Sequence, residues 1–218
     1  MNKKQKKERL ALIVERLKSL YPDAACALEY GGDPWRLLVM GSLSAQCTDK
    51  RVNMVSKELF LKYPSAEALA DADIFELEEI VKPCGLYRVK AQNIKEASRL
   101  LVSEYGGVLP SEMKDLLRFA GVGRKVANLL RGDIHKLPAV VCDTHCMRIC
   151  ARFGMYPVTE KNPTRIEKIL CELIEPNESS DFCHRIVLFG RDVCSARNPA
   201  CDSCALADLC EKRKKELK

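Results

Sequence analysis

The 218-residue sequence contains no apolar run near the roughly 18 residues that a bilayer span requires. Its N-terminus, MNKKQKKERL, is basic and runs into an amphipathic stretch, with neither a signal-peptide core nor a cleavage site. Both absences point to a cytoplasmic protein. Strand signals are almost missing: apolar and polar residues do not alternate between turns, and β-branched clusters are few. No segment of 20–50 residues repeats, which argues against a solenoid. There is no G-x4-G-K, so no nucleotide-binding loop of that type is encoded. Hydrophobic residues make up 47% and charged residues 30%, which excludes a disordered chain and leaves room for one large domain or two small ones. The formal charge of +6 favours polyanionic partners without identifying one.

Helical periodicity, by contrast, is nearly continuous. It predicts helices at about 4–20, 34–46, 49–62, 73–82, 87–105, 111–119, 123–133, 143–153, 163–175 and 180–192. Punctuation agrees: Pro34 opens one helix, Pro64 follows another, and Gly85 and Gly106-Gly107 lie after helix ends. The basic ends, KKQKK and KRKKELK, read as solvated ends of terminal helices. The expected fold class is all-α.

Twelve cysteines in a chain expected to stay reduced argue against a disulfide framework. Four of them, Cys194, Cys201, Cys204 and Cys210, follow the pattern C-x6-C-x2-C-x5-C in CSARNPACDSCALADLC. A single C-x2-C with unequal flanks fits neither paired zinc knuckles nor a ferredoxin. Spacing alone therefore indicates a metal centre and leaves zinc and an iron–sulfur cluster open. The other eight (Cys26, Cys47, Cys84, Cys142, Cys146, Cys150, Cys171 and Cys183) read as buried packing residues, three of them stepping by four along one helix face.

In LLRFAGVGRKVANLL one helix ends, Gly121-Val122-Gly123 intervenes, and another starts at once with Lys125 in its first turn. Glycines permit the tight turn and let backbone N–H groups approach a phosphate. A helix N-terminus favours a neutral amine over an ammonium, and a neutral lysine can form a Schiff base. A plain helix–helix turn with a solvent-facing or phosphate-binding lysine fits the same residues. Asp143 stands before a helical stretch, the normal place for an N-cap.

Beyond the cysteine pattern, the segments LSAQCTDKRVN, GLYRVKAQNI, GVGRKVAN, DTHCMRIC and LFGRDVC occur in an order and spacing that resemble the endonuclease III family of DNA glycosylases, over almost the whole chain. That resemblance implies a two-domain helix-hairpin-helix DNA glycosylase fold. A helical bundle at 27–137 would be joined to a cluster domain built from 1–26 and 138–218. It implies a [4Fe-4S] cluster on the four cysteines, Lys125 as the nucleophile at the sugar C1′, and Asp143 as its carboxylate partner across a cleft. Gln46 and Leu86 would fill the gap left by an extruded base, Gly121 and Gly123 would grip the DNA backbone, and His145 and Arg197 would lie near it. The implied partner is double-stranded DNA with a damaged base or abasic site, bound by a monomer, nucleoid-associated in a bacterium or archaeon. The implied function is excision of a damaged base, most plausibly an oxidised pyrimidine, followed by β-elimination. The alternatives are a monofunctional mismatch glycosylase, opposed by Lys125 and by Ser42 where that type carries a glutamate, and a non-catalytic iron–sulfur DNA binder. The sequence departs from the family pattern at Ala120 (usually proline), Val126 (commonly threonine), and Asn198 and Ala200 (commonly basic).

Overall fold

The computed structural model describes residues 1–216 and contains twelve α-helices, three short 3-10 turns and no strand among them. The chain divides into two compact units: one continuous, Cys26–His135, and one split, Met1–Ala25 with Lys136–Lys218. The first helix, α1 (Lys3–Leu20), belongs to the split unit.

The continuous unit is built from α2 (Pro34–Leu43), α3 (Asp49–Lys62), α4 (Ala66–Ala70), α5 (Ile74–Val81), α6 (Tyr87–Tyr105), α7 (Met113–Leu116) and α8 (Arg124–Asp133). Its centre is α2, whose Leu37, Leu38, Val39, Met40 and Leu43 are all essentially inaccessible. A helix apolar all round must be enclosed by its neighbours. Each such side chain contributes about 1.5–3 kcal/mol on burial. The buried Trp35 keeps its indole satisfied by donating Nε1–H to Ser98 Oγ at 2.9 Å. Side-chain caps start most of these helices: Asp33 before α2 with Pro34 at its first position, Thr48 before α3, Ser65 before α4 and Asp73 before α5.

Two predicted helices are shorter than their apolar pattern suggests. The 34–46 segment stops at Leu43 because Ser44 turns its hydroxyl back to the Gly41 carbonyl (2.7 Å) and Gln46 takes a left-handed backbone, φ +53°. The 111–119 segment is helical only over Met113–Leu116 and then descends through successive short-range turns to Gly121.

The split unit packs α1 against α9 (Thr144–Arg152), α10 (Pro163–Leu173) and α11 (Ser179–Asp192), with α12 (Glu211–Glu216) near the C-terminus. Leu10, Ile13, Val14 and Leu17 form one stripe of α1 and meet Ile149, Ile166, Leu170, Phe182, Ile186 and Phe189 in the core. The basic start of α1 is solvated and pairs Lys3 with Glu172 and Lys7 with Glu175, exposed bridges of small worth. The eight non-cluster cysteines depart from the packing expectation in part. Cys84, Cys146, Cys150 and Cys183 are buried, Cys26, Cys47 and Cys142 only half so, and Cys171 is exposed. Cys142 also precedes α9, so only Cys146 and Cys150 lie on that helix.

Candidate nucleic-acid interface and metal centre

In the continuous unit, the chain between α7 and α8 makes the turn read from the sequence. Gly121 takes φ +78°, and a Cβ there would collide with Ser42 Oγ at the end of α2 and lie 3.1 Å from Asn93 Nδ2 on α6. Glycine at 121 is therefore demanded by the fold itself. At Gly123 the backbone is extended and a Cβ would meet nothing within 4 Å. Gly123 is the N-cap of α8 and offers no side-chain cap to the first amides, and a helix N-terminus of this kind suits an anionic acceptor. Lys125 is exposed in that same first turn. One residue further, Val126 seats α8 on α2: a Cβ on Gly41 would fall 2.8 Å from Val126 Cγ1. Valine thus serves packing where a hydroxyl is common. Ala120 is half-buried, and nothing in the structure explains it in place of proline.

Gln46 and Leu86 share an unusual conformation. Among the described residues only Gln46, Leu86 and Lys136 have positive φ without being glycine. Such a backbone costs about 1–2 kcal/mol and concentrates at functional sites. Gln46 is exposed and Leu86 is 60% exposed, so neither side chain is held there by burial. Leu86 is the N-cap of α6 and, like Gly123, supplies no side-chain cap. Ser42, packed beneath the hairpin, is 3% exposed and its hydroxyl has no hydrogen-bond partner.

In the split unit, Asp143 is the N-cap of α9 and accepts a 2.7 Å hydrogen bond from the Cys146 amide. One carboxylate oxygen is thereby fixed, which aims the group. His145 is half-buried, with Nδ1 3.2 Å from Arg148 Nη2, and lies against Gly190 of α11. The far end of α9 holds the cysteine loop. Arg152 donates to the carbonyls of Cys194 (3.3 Å), Ser195 (2.7 Å) and Ala196 (2.9 Å) and to Cys194 Sγ (3.1 Å). Arg148, one turn earlier, donates to the Cys194 carbonyl at 3.0 Å. Sequence reading missed these two arginines; their i, i+4 spacing on α9 was the available signal, but their acceptors in the cysteine loop, backbone carbonyls and one sulfur, are more than forty residues away.

All four cysteines of the C-terminal pattern line one pocket, backed by the stacked rings of Phe153 and Phe189. Burial pushes the Cys204 thiol up, the Leu206 N–H opposes this, and the Cys194, Cys210 and Cys201 sulfurs add to the rise. Four sulfurs close enough to feel one another, in a pocket with no carboxylate in its lining, are a donor set for a thiophilic cation. The four cysteines are the ligand set an iron–sulfur cluster would use. Arg197 is exposed in the first loop, beside exposed Asn198 and Ala200. Among the described residues no helix is long and apolar enough to cross a membrane.

Residues 39–176 match the HhH-GPD superfamily of base excision DNA repair proteins, and residues 194–210 match the iron–sulfur binding domain of endonuclease III. The chain is 45% identical to endonuclease III of Synechocystis sp., over 94% of this chain and 93% of that one. It is 35% identical to endonuclease III of Bacillus subtilis, over 97% and 95% of the respective chains. It is also similar, with a TM-score of 0.90, 36% identity and full coverage of both chains, to the solved structure of a trapped covalent intermediate of endonuclease III with DNA. The chain belongs to the endonuclease III family, within the HhH-GPD superfamily of base excision DNA repair proteins.

Proposed function

We propose that this protein is a bifunctional DNA glycosylase with DNA-(apurinic or apyrimidinic site) lyase activity. It removes damaged bases, oxidised pyrimidines foremost, from double-stranded DNA and then cleaves the strand. The observation that carries this reading is an exposed lysine in the first turn of α8, directly behind the hairpin glycines, in a chain alike in full to a relative trapped as a covalent intermediate with DNA.

The chemistry follows from the groups available. The Lys125 amine attacks C1′ of the damaged nucleotide as the bond to the base breaks, and the base leaves with the bonding pair. The carboxylate of Asp143, held by its cap bond to Cys146, takes up the proton shed by the amine and offsets positive charge developing on the sugar. The iminium formed acidifies the C2′ hydrogen. Loss of that proton expels the 3′ phosphate, and the strand is cut by β-elimination.

Reaching C1′ requires the nucleotide to leave the stack. Gln46 and Leu86, exposed on strained backbone, are assigned to filling the space it vacates. The amides around Gly121 and Gly123 take a phosphate at the positive end of α8, and His145 and Arg197 lie toward the backbone. Cys194, Cys201, Cys204 and Cys210 hold the [4Fe-4S] cluster, which supplies a cross-link tying four points of the C-terminal segment together. The protein works as a monomer on the chromosomal DNA of the cytoplasm, in the nucleoid of a bacterium or archaeon.

Replacing Lys125 by glutamine tests the reading. The variant is expected to keep its melting temperature and its affinity for duplex containing an abasic-site analogue, while strand cleavage falls by about 10²-fold or more. Cleavage undiminished in Lys125→Gln would refute the assignment.

A further inference from the structure

The turns that carry Gln46 and Leu86 are joined by a pair of thiols. Cys47 follows Gln46 directly, and its amide is bonded to the Ser44 carbonyl at 3.1 Å. Cys84 closes the 3-10 turn Lys82–Cys84, two residues before Leu86. The Lys82–Cys84 turn packs against α3, which begins two residues after Cys47, and the two sulfurs are close enough to act on one another. They differ in access: Cys47 is half-buried, whereas Cys84 is 4% exposed. The surroundings are cationic. The Lys90 ammonium, itself 3% exposed, donates to the Cys84 carbonyl at 2.8 Å, and both Lys90 and Arg51 favour a thiolate at Cys84. Burial is the stronger influence and raises the Cys84 thiol to about 11, so Cys47, the more open sulfur, is the one that meets a soluble oxidant first.

We propose that Cys47 and Cys84 are a redox-sensitive dithiol whose oxidation by peroxide to a disulfide locks together the two turns that enter the duplex. The Cys47 thiolate attacks one peroxide oxygen, the O–O bond breaks, and a sulfenic acid and water result. The Cys84 thiolate then attacks the sulfenic sulfur, the S–O bond breaks, and a second water leaves. Two thiols give up two electrons and two protons, and one hydrogen peroxide becomes two waters. Closure draws the sulfurs to the roughly 2.05 Å of a disulfide. Both partners sit next to residues in left-handed backbone, Gln46 on one side and Gly85 and Leu86 on the other, so the movement passes directly to the exposed tips. In a reducing compartment such a bond is transient, which suits a sensor and not a staple.

The consequence for DNA rests on the reading of Gln46 and Leu86 as the groups that enter the duplex, and the test separates the two. The full, cluster-loaded protein is treated with hydrogen peroxide at a dose that leaves the visible absorbance of the cluster intact, then mapped by non-reducing peptide mass spectrometry. The expected product is one peptide pair linked through Cys47 and Cys84. Affinity for a duplex with an abasic-site analogue should fall about tenfold or more and return with dithiothreitol. Cys47→Ala and Cys84→Ala should keep their affinity through the same treatment. Absence of the linked pair overturns the proposal, as does a linked pair whose affinity stays within about twofold, or an equal loss in Cys47→Ala. Failure of the reduced wild-type protein to cleave abasic DNA would instead sink the functional reading and leave the peptide map to decide the dithiol.

Discussion

Leu86 spends conformational energy for no intramolecular return: it is 60% exposed, its backbone is left-handed, and it caps α6 with no side-chain hydrogen bond. A group that the fold does not need is one that a ligand uses. Glycine would relieve the backbone and is acceptable as an N-cap. Leu86→Gly should therefore raise unfolding stability by about 0.5–1 kcal/mol in denaturant titration while single-turnover base excision slows. Opposite signs are the signature, and a fall in both would mark Leu86 as structural. At Asp143 the observed cap and the proposed catalytic role would share one carboxylate, and the substitutions that separate them are Asn and Ala. Asparagine caps as well as aspartate, so Asp143→Asn should melt like wild type yet lose about 10²-fold in lyase rate. Asp143→Ala should lose both, with about 1 kcal/mol of stability removed.

At the scale of elements, α9 works at both ends: its N-cap is Asp143 and its last residue, Arg152, holds the loop that starts at Cys194. Arg152→Ala removes four hydrogen bonds from that loop, and Arg152→Lys cannot restore a planar fork. Both variants should lose the cluster's visible absorbance faster than wild type under a ferrous chelator, with alanine the faster. Unchanged decay would show the clamp to be incidental. The longer helices were legible because their apolar periodicity spans several turns, as in α1, α3 and α6. α4, five residues long, is too short to display a period and went unread. The early end of α2 was hidden for another reason: it depends on the positive φ of Gln46, which no side-chain pattern encodes. The candidate site was legible where it is written in residue types at fixed spacing, as in the four cysteines and the Gly-Val-Gly-Arg-Lys run. It was not legible where it lies in conformation, as at Leu86, or in backbone acceptors distant in sequence, as for Arg148 and Arg152.

At the scale of the molecule, each unit has its own apolar core, and all four cluster cysteines belong to the split one. Metal-site free energy is folding free energy for the unit that contains it. Iron removal should thus lower the melting of the split unit and leave the continuous unit, Cys26–His135, near its original midpoint, giving two calorimetric transitions in place of one or a widened first one. A single unshifted transition would show that the cluster contributes nothing to folding. The proposed reaction requires one covalent bond, between Lys125 and the sugar. The most direct measurement is reduction by borohydride of the protein mixed with abasic-site duplex, followed by peptide mass spectrometry of any cross-linked species. The expected result is a stable protein–DNA adduct whose modified peptide carries the sugar on Lys125, and no adduct in Lys125→Gln. No adduct from the intact protein, or an adduct on another residue that persists in Lys125→Gln, would contradict it.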